Sequence, residues 1–79
     1  MYAYLNLGAI YGEMGYYKLA IETFKKAIEL APDFAEAHYN LGLAYYGAGE
    51  AQKALDHFKV ALQLQPENPK FRRAAIKRF

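Results

Sequence analysis

The amino-acid sequence predicts an all-α protein built as a stack of antiparallel helix-turn-helix hairpins, with five helices. Apolar residues recur at the spacing of one helix face over successive segments. The chain also resembles itself at an offset of 34 residues, and glycine or proline separates the segments. With 79 residues, of which 54% are hydrophobic, the chain is long enough for one small core and too apolar to be disordered.

The internal repeat pairs positions 1–34 with positions 35–68. Twelve of the 34 pairs are identical, and most of the identical residues are small or apolar, which indicates that both halves pack in the same way. We therefore expect one domain over residues 1–79. It comprises a first repeat at 1–34, a second repeat at 35–68 and a closing helix at 69–79.

The first repeat predicts a hairpin of two helices. Apolar positions 3, 7, 10, 11 and 14 form one stripe, which Gly15 ends. Positions 20, 24, 27, 28 and 31 form a second stripe, which ends at Pro32 because a proline ring cannot continue a helix. No capping residue precedes the first helix, as expected for a piece of a longer array or a minimal unit. Its apolar stripe is expected to be uncovered.

The second repeat predicts the same two helices, from about position 35 to 48 and from about 51 to 65, with Gly49 and Pro66 as the breaks. The last segment restarts the register of a first helix, and its inward positions hold Phe71, Ala75 and Phe79. No second helix follows, and Ile76 stands where both repeats have glycine. We interpret the segment as a capping helix whose basic residues make its outer side polar.

Small residues at equivalent places predict where the two helices of each hairpin cross. Gly8 in the first repeat and Gly42 in the second remove bulk from the first helix of each pair. Phe24 and Phe58 on the second helices are expected to fill the space that the glycines leave.

The residue inventory argues against catalysis. The chain has no cysteine and no serine, and Thr23 is its one hydroxyl nucleophile candidate. It has no glycine-rich phosphate loop, so no nucleotide cofactor is predicted. His38 and His57 lie on different helices with no further ligand at metal-binding spacing, so no metal site is predicted. The prediction is a protein that is not an enzyme and uses no cofactor.

Charge and hydropathy argue against nucleic acid and membrane as partners. Ten basic and eight acidic side chains give a net charge of +2, which is too small to indicate nucleic-acid binding. The basic closing helix would suit RNA or an anionic membrane, but its capping role explains the same charges. Apolar runs are short and no signal peptide is visible, so a cytoplasmic location is expected.

The chain resembles the tetratricopeptide repeat family, whose period is also 34 residues. Eight signature positions of that family match in the first repeat at Tyr4, Leu7, Gly8, Tyr11, Ala20, Phe24, Ala27 and Pro32. They match again in the second at His38, Leu41, Gly42, Tyr45, Ala54, Phe58, Ala61 and Pro66. Tyr4 and His38 depart from the tryptophan most common there. The resemblance covers residues 1–68 and implies a right-handed superhelical α-solenoid.

The resemblance further implies a protein-interaction scaffold that binds a peptide or helix in a concave groove lined by the first helix of each hairpin. The predicted groove residues are Tyr2, Leu5, Asn6, Ala9, Glu36, Tyr39, Asn40, Leu43, Tyr46, Lys70, Arg73 and Lys77. Such a groove is apolar along most of its length and basic at one end, which suits a peptide with an acidic end. Some relatives clamp the carboxylate tail of heat-shock chaperones. Because three of the five clamp positions differ here, that ligand is not expected.

A second hypothesis comes from a different class of function. Two repeats and one helix leave the apolar stripe of the first hairpin uncovered, and fewer than three repeats are marginal alone. A second copy of the chain would cover that stripe, so the alternative is a self-assembling structural unit with no separate ligand.

Overall fold

The computed structural model describes residues 2–76, which form five α-helices and no strand. They are α1 (Tyr2–Glu13), α2 (Tyr17–Leu30), α3 (Ala35–Gly47), α4 (Ala51–Leu64) and α5 (Pro69–Ile76). The all-α prediction is confirmed. The predicted carboxyl-terminal ends of the first four helices differ from these bounds by about one residue. Lys77, which the sequence placed in the groove, and Phe79, which it placed at an inward position, lie outside the described residues.

The chain reverses direction within each hairpin at a glycine in the left-handed region. Gly15 has a φ of 82° and Gly49 a φ of 85°, a conformation that disfavours residues with a Cβ atom. The N–H of the following residue then bonds back to the last turn of the preceding helix, from Tyr16 to the Tyr11 carbonyl and from Glu50 to the Tyr45 carbonyl, both at 2.9 Å. These bonds satisfy helix-end carbonyls and fix each hairpin.

The two helices of each hairpin cross at the predicted glycines. A Cβ atom on Gly8 would overlap the ring of Phe24, and one on Gly42 would lie 2.5 Å from Cε1 of Phe58. Both phenylalanine rings are buried against these glycines. The predicted crossing register is therefore confirmed.

Helix α3 lies at the centre of the stack and packs against α2 and α4. Its residues Ala37, Leu41, Ala44 and Tyr45 join the main core, together with residues of α1, α2 and α4. A smaller cluster under α5 comprises Ala35, Ala61 and Phe71. Phe71 has no exposed surface at all, so it holds α5 on the end of the stack.

The apolar stripe of α1 is uncovered, as the sequence predicted. Leu7 and Ile10 are exposed, whereas their counterparts in the second repeat, Leu41 and Ala44, are 1% and 4% exposed. The difference arises because α2 packs on α3, while within the described residues no helix packs on the outer side of α1.

Three rings form an aromatic stack between α3 and α4. His57 lies between His38, at a centroid distance of 5.7 Å, and Tyr45, at 5.5 Å, with all planes within about 20° of parallel. Nε2–H of His38 donates to the carbonyl oxygen of Pro32 at 2.9 Å, since a carbonyl only accepts. Within residues 2–76, the Nδ1 atoms of both histidines are buried without a hydrogen-bond partner. The stack thus removes the His57 ring from much of its contact with water.

Charged side chains surround this stack. They come from α2, from α4 and from the residue before α4. The ammonium groups of Lys25 and Lys53 lie 6.0 and 5.6 Å from the Tyr45 ring centroid, and Lys53 pairs with Glu50 at 3.1 Å. Burial lowers the pKa of His57 below its ordinary value of 6.5, and His38 and Lys25 act in the same direction. Asp56 opposes them. The surroundings therefore favour the neutral imidazole.

Folding stability should accordingly fall as the solution is acidified. Because His57 has a lower pKa when folded, its contribution is fully present above pH 6.5 and is lost as the pH drops below that value. We expect a lower melting temperature at about pH 5.5 than at about pH 7.5. The variant His57→Gln, which has no proton to take up there, should show a smaller difference. Equal differences in both proteins would contradict the assignment to this residue.

Candidate functional site

Two adjoining pockets lie on the side of the stack that is formed by α1, α3 and α5. The first pocket has a volume of about 290 Å³ and is lined by Gly8, Ala9, Gly12, Glu13, Tyr17, Phe24, Asn40, Leu43 and Ala44. The second pocket has a volume of about 540 Å³ and is lined by Tyr39, Leu43, Tyr46, Phe58, Lys70, Arg73, Ala74 and Ile76. Leu43 lines both, so the pockets meet at this side chain, and we refer to the two together as the groove.

The repeat explains why there are two pockets. Each lies between consecutive first helices of the array, α1 and α3 for the first pocket, and α3 and α5 for the second. A phenylalanine from the second helix of the hairpin, Phe24 or Phe58, lines each pocket next to the glycine where the helices cross. The same local geometry is therefore built twice.

The first pocket is mainly apolar, with polar groups from Glu13 and Asn40. One of its walls is fixed by a contact between the repeats, because a Cβ atom on Gly47 would overlap the ring of Tyr17. Glycine at position 47 therefore allows α2 to approach the end of α3 and brings the Tyr17 ring to the pocket.

The second pocket has an ordered aromatic wall. The ring of Tyr39 lies 5.6 Å from that of Phe58 and 5.2 Å from that of Phe71, so it is held between α4 and α5. Tyr46 and Leu43 stand beside it and remain exposed. An apolar group entering this pocket would contact aromatic and aliphatic surface on several sides.

Charge at the second pocket is distributed differently from the sequence prediction. Nζ of Lys70 lies 2.8 Å from Oε2 of Glu36 and 4.8 Å above the ring of Tyr39. These two residues sit at the same position of consecutive repeats, and their charges offset each other. Arg73 forms no ion pair within residues 2–76 and carries the positive charge of this pocket. Among the residues predicted to make this end of the groove basic, Lys70 is paired and Arg73 is not within the described residues, while Lys77 lies outside them.

Most of the predicted groove residues are brought together. The first pocket includes Ala9, Asn40 and Leu43, and the second includes Tyr39, Leu43, Tyr46, Lys70 and Arg73. Four others line neither pocket, namely Tyr2, Leu5, Asn6 and Glu36. Asn6 is exposed, Tyr2 packs edge-on against Phe34 at 5.4 Å, and Glu36 pairs with Lys70. Whether any of these residues contacts a ligand stays a prediction.

The orientation predicted for Leu5 is wrong. Its side chain is only 8% exposed and belongs to the main core. Leu5 shares a helix face with Gly8, three residues later, and Gly8 is where α1 crosses α2. That geometry turns Leu5 toward the hairpin and away from the groove.

Sequence reasoning missed the residues that the groove takes from the second helices, and two of the four that it takes from α5. Phe24 and Phe58 were assigned to packing alone and Tyr17 was given no role, although each also lines a pocket. For the two phenylalanines, the glycine opposite each ring was the available signal, because a ring that packs so closely against the first helix lies beside the groove which that helix lines. Ala74 and Ile76 carried no comparable signal.

No group of three or more histidine, aspartate or glutamate side chains in residues 2–76 is arranged to hold a metal ion. No described helix is both long enough and apolar enough to cross a membrane.

Antiparallel helical hairpins stacked in register, with a groove along their first helices, define an α-solenoid. The TPR repeat family model matches residues 13–49 and the tetratricopeptide repeat model matches residues 35–68. The chain belongs to the tetratricopeptide repeat family. A search of curated proteins found no match. Repeats of this family generally mediate protein–protein interaction and typically serve as non-catalytic scaffolds.

Proposed function

We propose that residues 1–79 form one binding domain, with repeats at 1–34 and 35–68 and a closing helix at 69–79, that holds a peptide in the groove. The observation that supports this most is the meeting of the two pockets at Leu43. An extended chain of a few residues, or one face of a short helix, reaches both pockets at once. The domain acts by binding and not by catalysis.

The second pocket sets the chemistry of the bound peptide. Leu43, Tyr46 and Ile76 expose apolar surface around the Tyr39 ring, which favours an apolar side chain of the peptide. Arg73 lies at the same pocket without an ion-pair partner among the described residues, so an acidic group of the peptide is placed there. Lys70 contributes mainly its stem and the support of Tyr39, because its charge is offset by Glu36.

Selection from a phage-displayed library of random peptides tests this proposal. Peptides enriched by the chain should share an apolar residue near an acidic one. For the peptide enriched most strongly, Leu43→Ala should reduce affinity by about 1–2 kcal/mol, or roughly tenfold, because Leu43 lines both pockets. Isothermal titration calorimetry measures the change.

Leu19→Ala is the matched control for this prediction. Leu19 and Leu43 are both 44% exposed, but Leu19 lies on α2 and lines neither pocket. Loss of a leucine side chain at this site should leave affinity unchanged. Equal losses in the two variants, or enrichment of peptides that bind Leu43→Ala normally, would reject the groove assignment.

A second candidate function is self-assembly through α1. The exposed Leu7, Ile10 and Met14 form an uncharged face, and the equivalent face of α3 is covered by α2. The same face of a second copy could pack against it without charge repulsion, and the contact would bury this apolar surface. Analytical ultracentrifugation over a concentration series should then reveal dimers that Ile10→Lys abolishes. A chain that stays monomeric up to about millimolar concentration excludes this function.

A further inference from the structure

Five of the six glycines have a structural reason to be glycine. A Cβ atom on Gly8, Gly42 or Gly47 would overlap an aromatic ring. At Gly15 and Gly49 the backbone has a positive φ. Neither reason applies to the sixth.

Gly12 is the unexplained glycine. It lies near the end of α1 with no positive φ, and a Cβ atom added there would meet no atom of residues 2–76 within 4 Å. A helix with glycine at an interior position is less stable than one with alanine there, because glycine loses more backbone freedom on folding. The fold therefore gains nothing from the missing side chain.

The second repeat shows what a side chain at this position would do. The residue equivalent to Gly12 is Tyr46, which is exposed and stands at the wall of the second pocket. Ala9 is likewise smaller than its counterpart, Leu43. The first pocket is thus open on α1 because two wall positions carry little or no side chain.

We propose that Gly12 keeps the first pocket open for one large apolar side chain of the bound peptide, which also carries a basic group directed at Glu13. This inference rests on the proposed peptide-binding function and extends it by a second subsite. A pocket of about 290 Å³ lies at the lower limit of roughly 300–1,000 Å³ for small-molecule sites, so a single side chain suits it better than a cofactor.

Charge sets the direction in which the peptide binds. Glu13 is exposed at the first pocket and forms no ion pair within the described residues. Arg73, at the second pocket, has the opposite charge and is also without an ion-pair partner there. The occupant is therefore a bipolar peptide, with a large apolar residue and a basic group at one end, and an acidic group at the other.

Selection from the random-peptide library with the Gly12→Tyr variant tests the inference. The tyrosine reproduces the residue of the second repeat, so it is compatible with the fold, and it fills the first pocket. Peptides enriched by the original chain should share a large apolar residue next to a basic one, and their affinity should drop at least about tenfold in Gly12→Tyr. Gly12→Ala should raise the melting temperature by several degrees while it weakens binding less.

Lys59→Tyr is the control, because it adds a tyrosine to an exposed position of α4 outside both pockets. It should leave the enriched peptides bound as before. If Gly12→Tyr binds these peptides as tightly as the original chain, the inference is wrong while the groove function stands. If the original chain enriches no peptide, the proposed function fails and the inference fails with it. If Leu43→Ala weakens binding and Gly12→Tyr does not, only the second pocket is used, which also overturns the inference.

Discussion

Replacement of Gly42 by leucine should destabilise the protein by on the order of 1–3 kcal/mol or more. The new Cβ atom would lie 2.5 Å from Cε1 of Phe58 and 3.0 Å from the carbonyl oxygen of Ala54. A ring could rotate, but the backbone of α4 is held on α3 by the rest of the interface. The two helices must therefore separate. For a chain of 79 residues, such a loss is a large share of a total stability of about 4–12 kcal/mol.

Chemical denaturation monitored by circular dichroism measures the loss. Ala48→Leu adds the same side chain at an exposed position after the end of α3 and should unfold close to the denaturant midpoint of the original chain. An unchanged midpoint for Gly42→Leu would show that the crossing register described above is incorrect.

Replacement of Phe71 by alanine should have the second large effect. The phenylalanine is fully buried against Ala35 and Ala61, and burial of this kind is worth about 3–5 kcal/mol. Helix α5 is described over eight residues, too few to stay helical in isolation. The lost packing free energy therefore weakens the attachment of α5 to the rest of the stack. We expect α5 to detach while the two hairpins remain folded. The ion pair between Lys70 and Glu36 would be lost with it.

Hydrogen exchange resolves this local effect from global unfolding. Backbone amides of α5 should exchange much faster in Phe71→Ala, whereas the exchange of those of α3 should change much less. Ile76→Ala on the same helix is the control, because Ile76 is largely exposed and its loss removes little packing. Uniformly faster exchange over all helices would mean that α5 is an integral part of the core and not a separately attached cap.

The packing of the repeats was accessible from the sequence because it depends on spacing and residue size alone. The stripe of Ala20, Phe24 and Ala27 predicts one buried helix face, and all three residues are buried. Gly42 opposite Phe58 predicts a close crossing, which the structure contains. Such features need only helical geometry and the rule that interiors are densely packed.

The groove was harder to predict from the sequence. The burial of a side chain at the border between two helix faces depends on residues that are distant in sequence. Leu5 was assigned to the groove by its angle on the helix, but the approach of α2 turns that border into core. The pairing of Lys70 with Glu36 depends on how α5 sits on α3, which residue spacing along either helix does not give. The open space beside Gly12 appears only when the neighbours of its absent side chain are known.

The order of the helices along the chain also bears on how the protein folds and breathes. Each helix packs mainly on its neighbours in sequence, so contact order is low and folding in about a millisecond or less is expected. Helices in the middle of such a linear array have two neighbours and open rarely, whereas end helices have one and open often. One wall of the second pocket is formed by α5, the last described helix. A peptide seated there would slow the opening of the carboxyl end of the chain more than that of its centre.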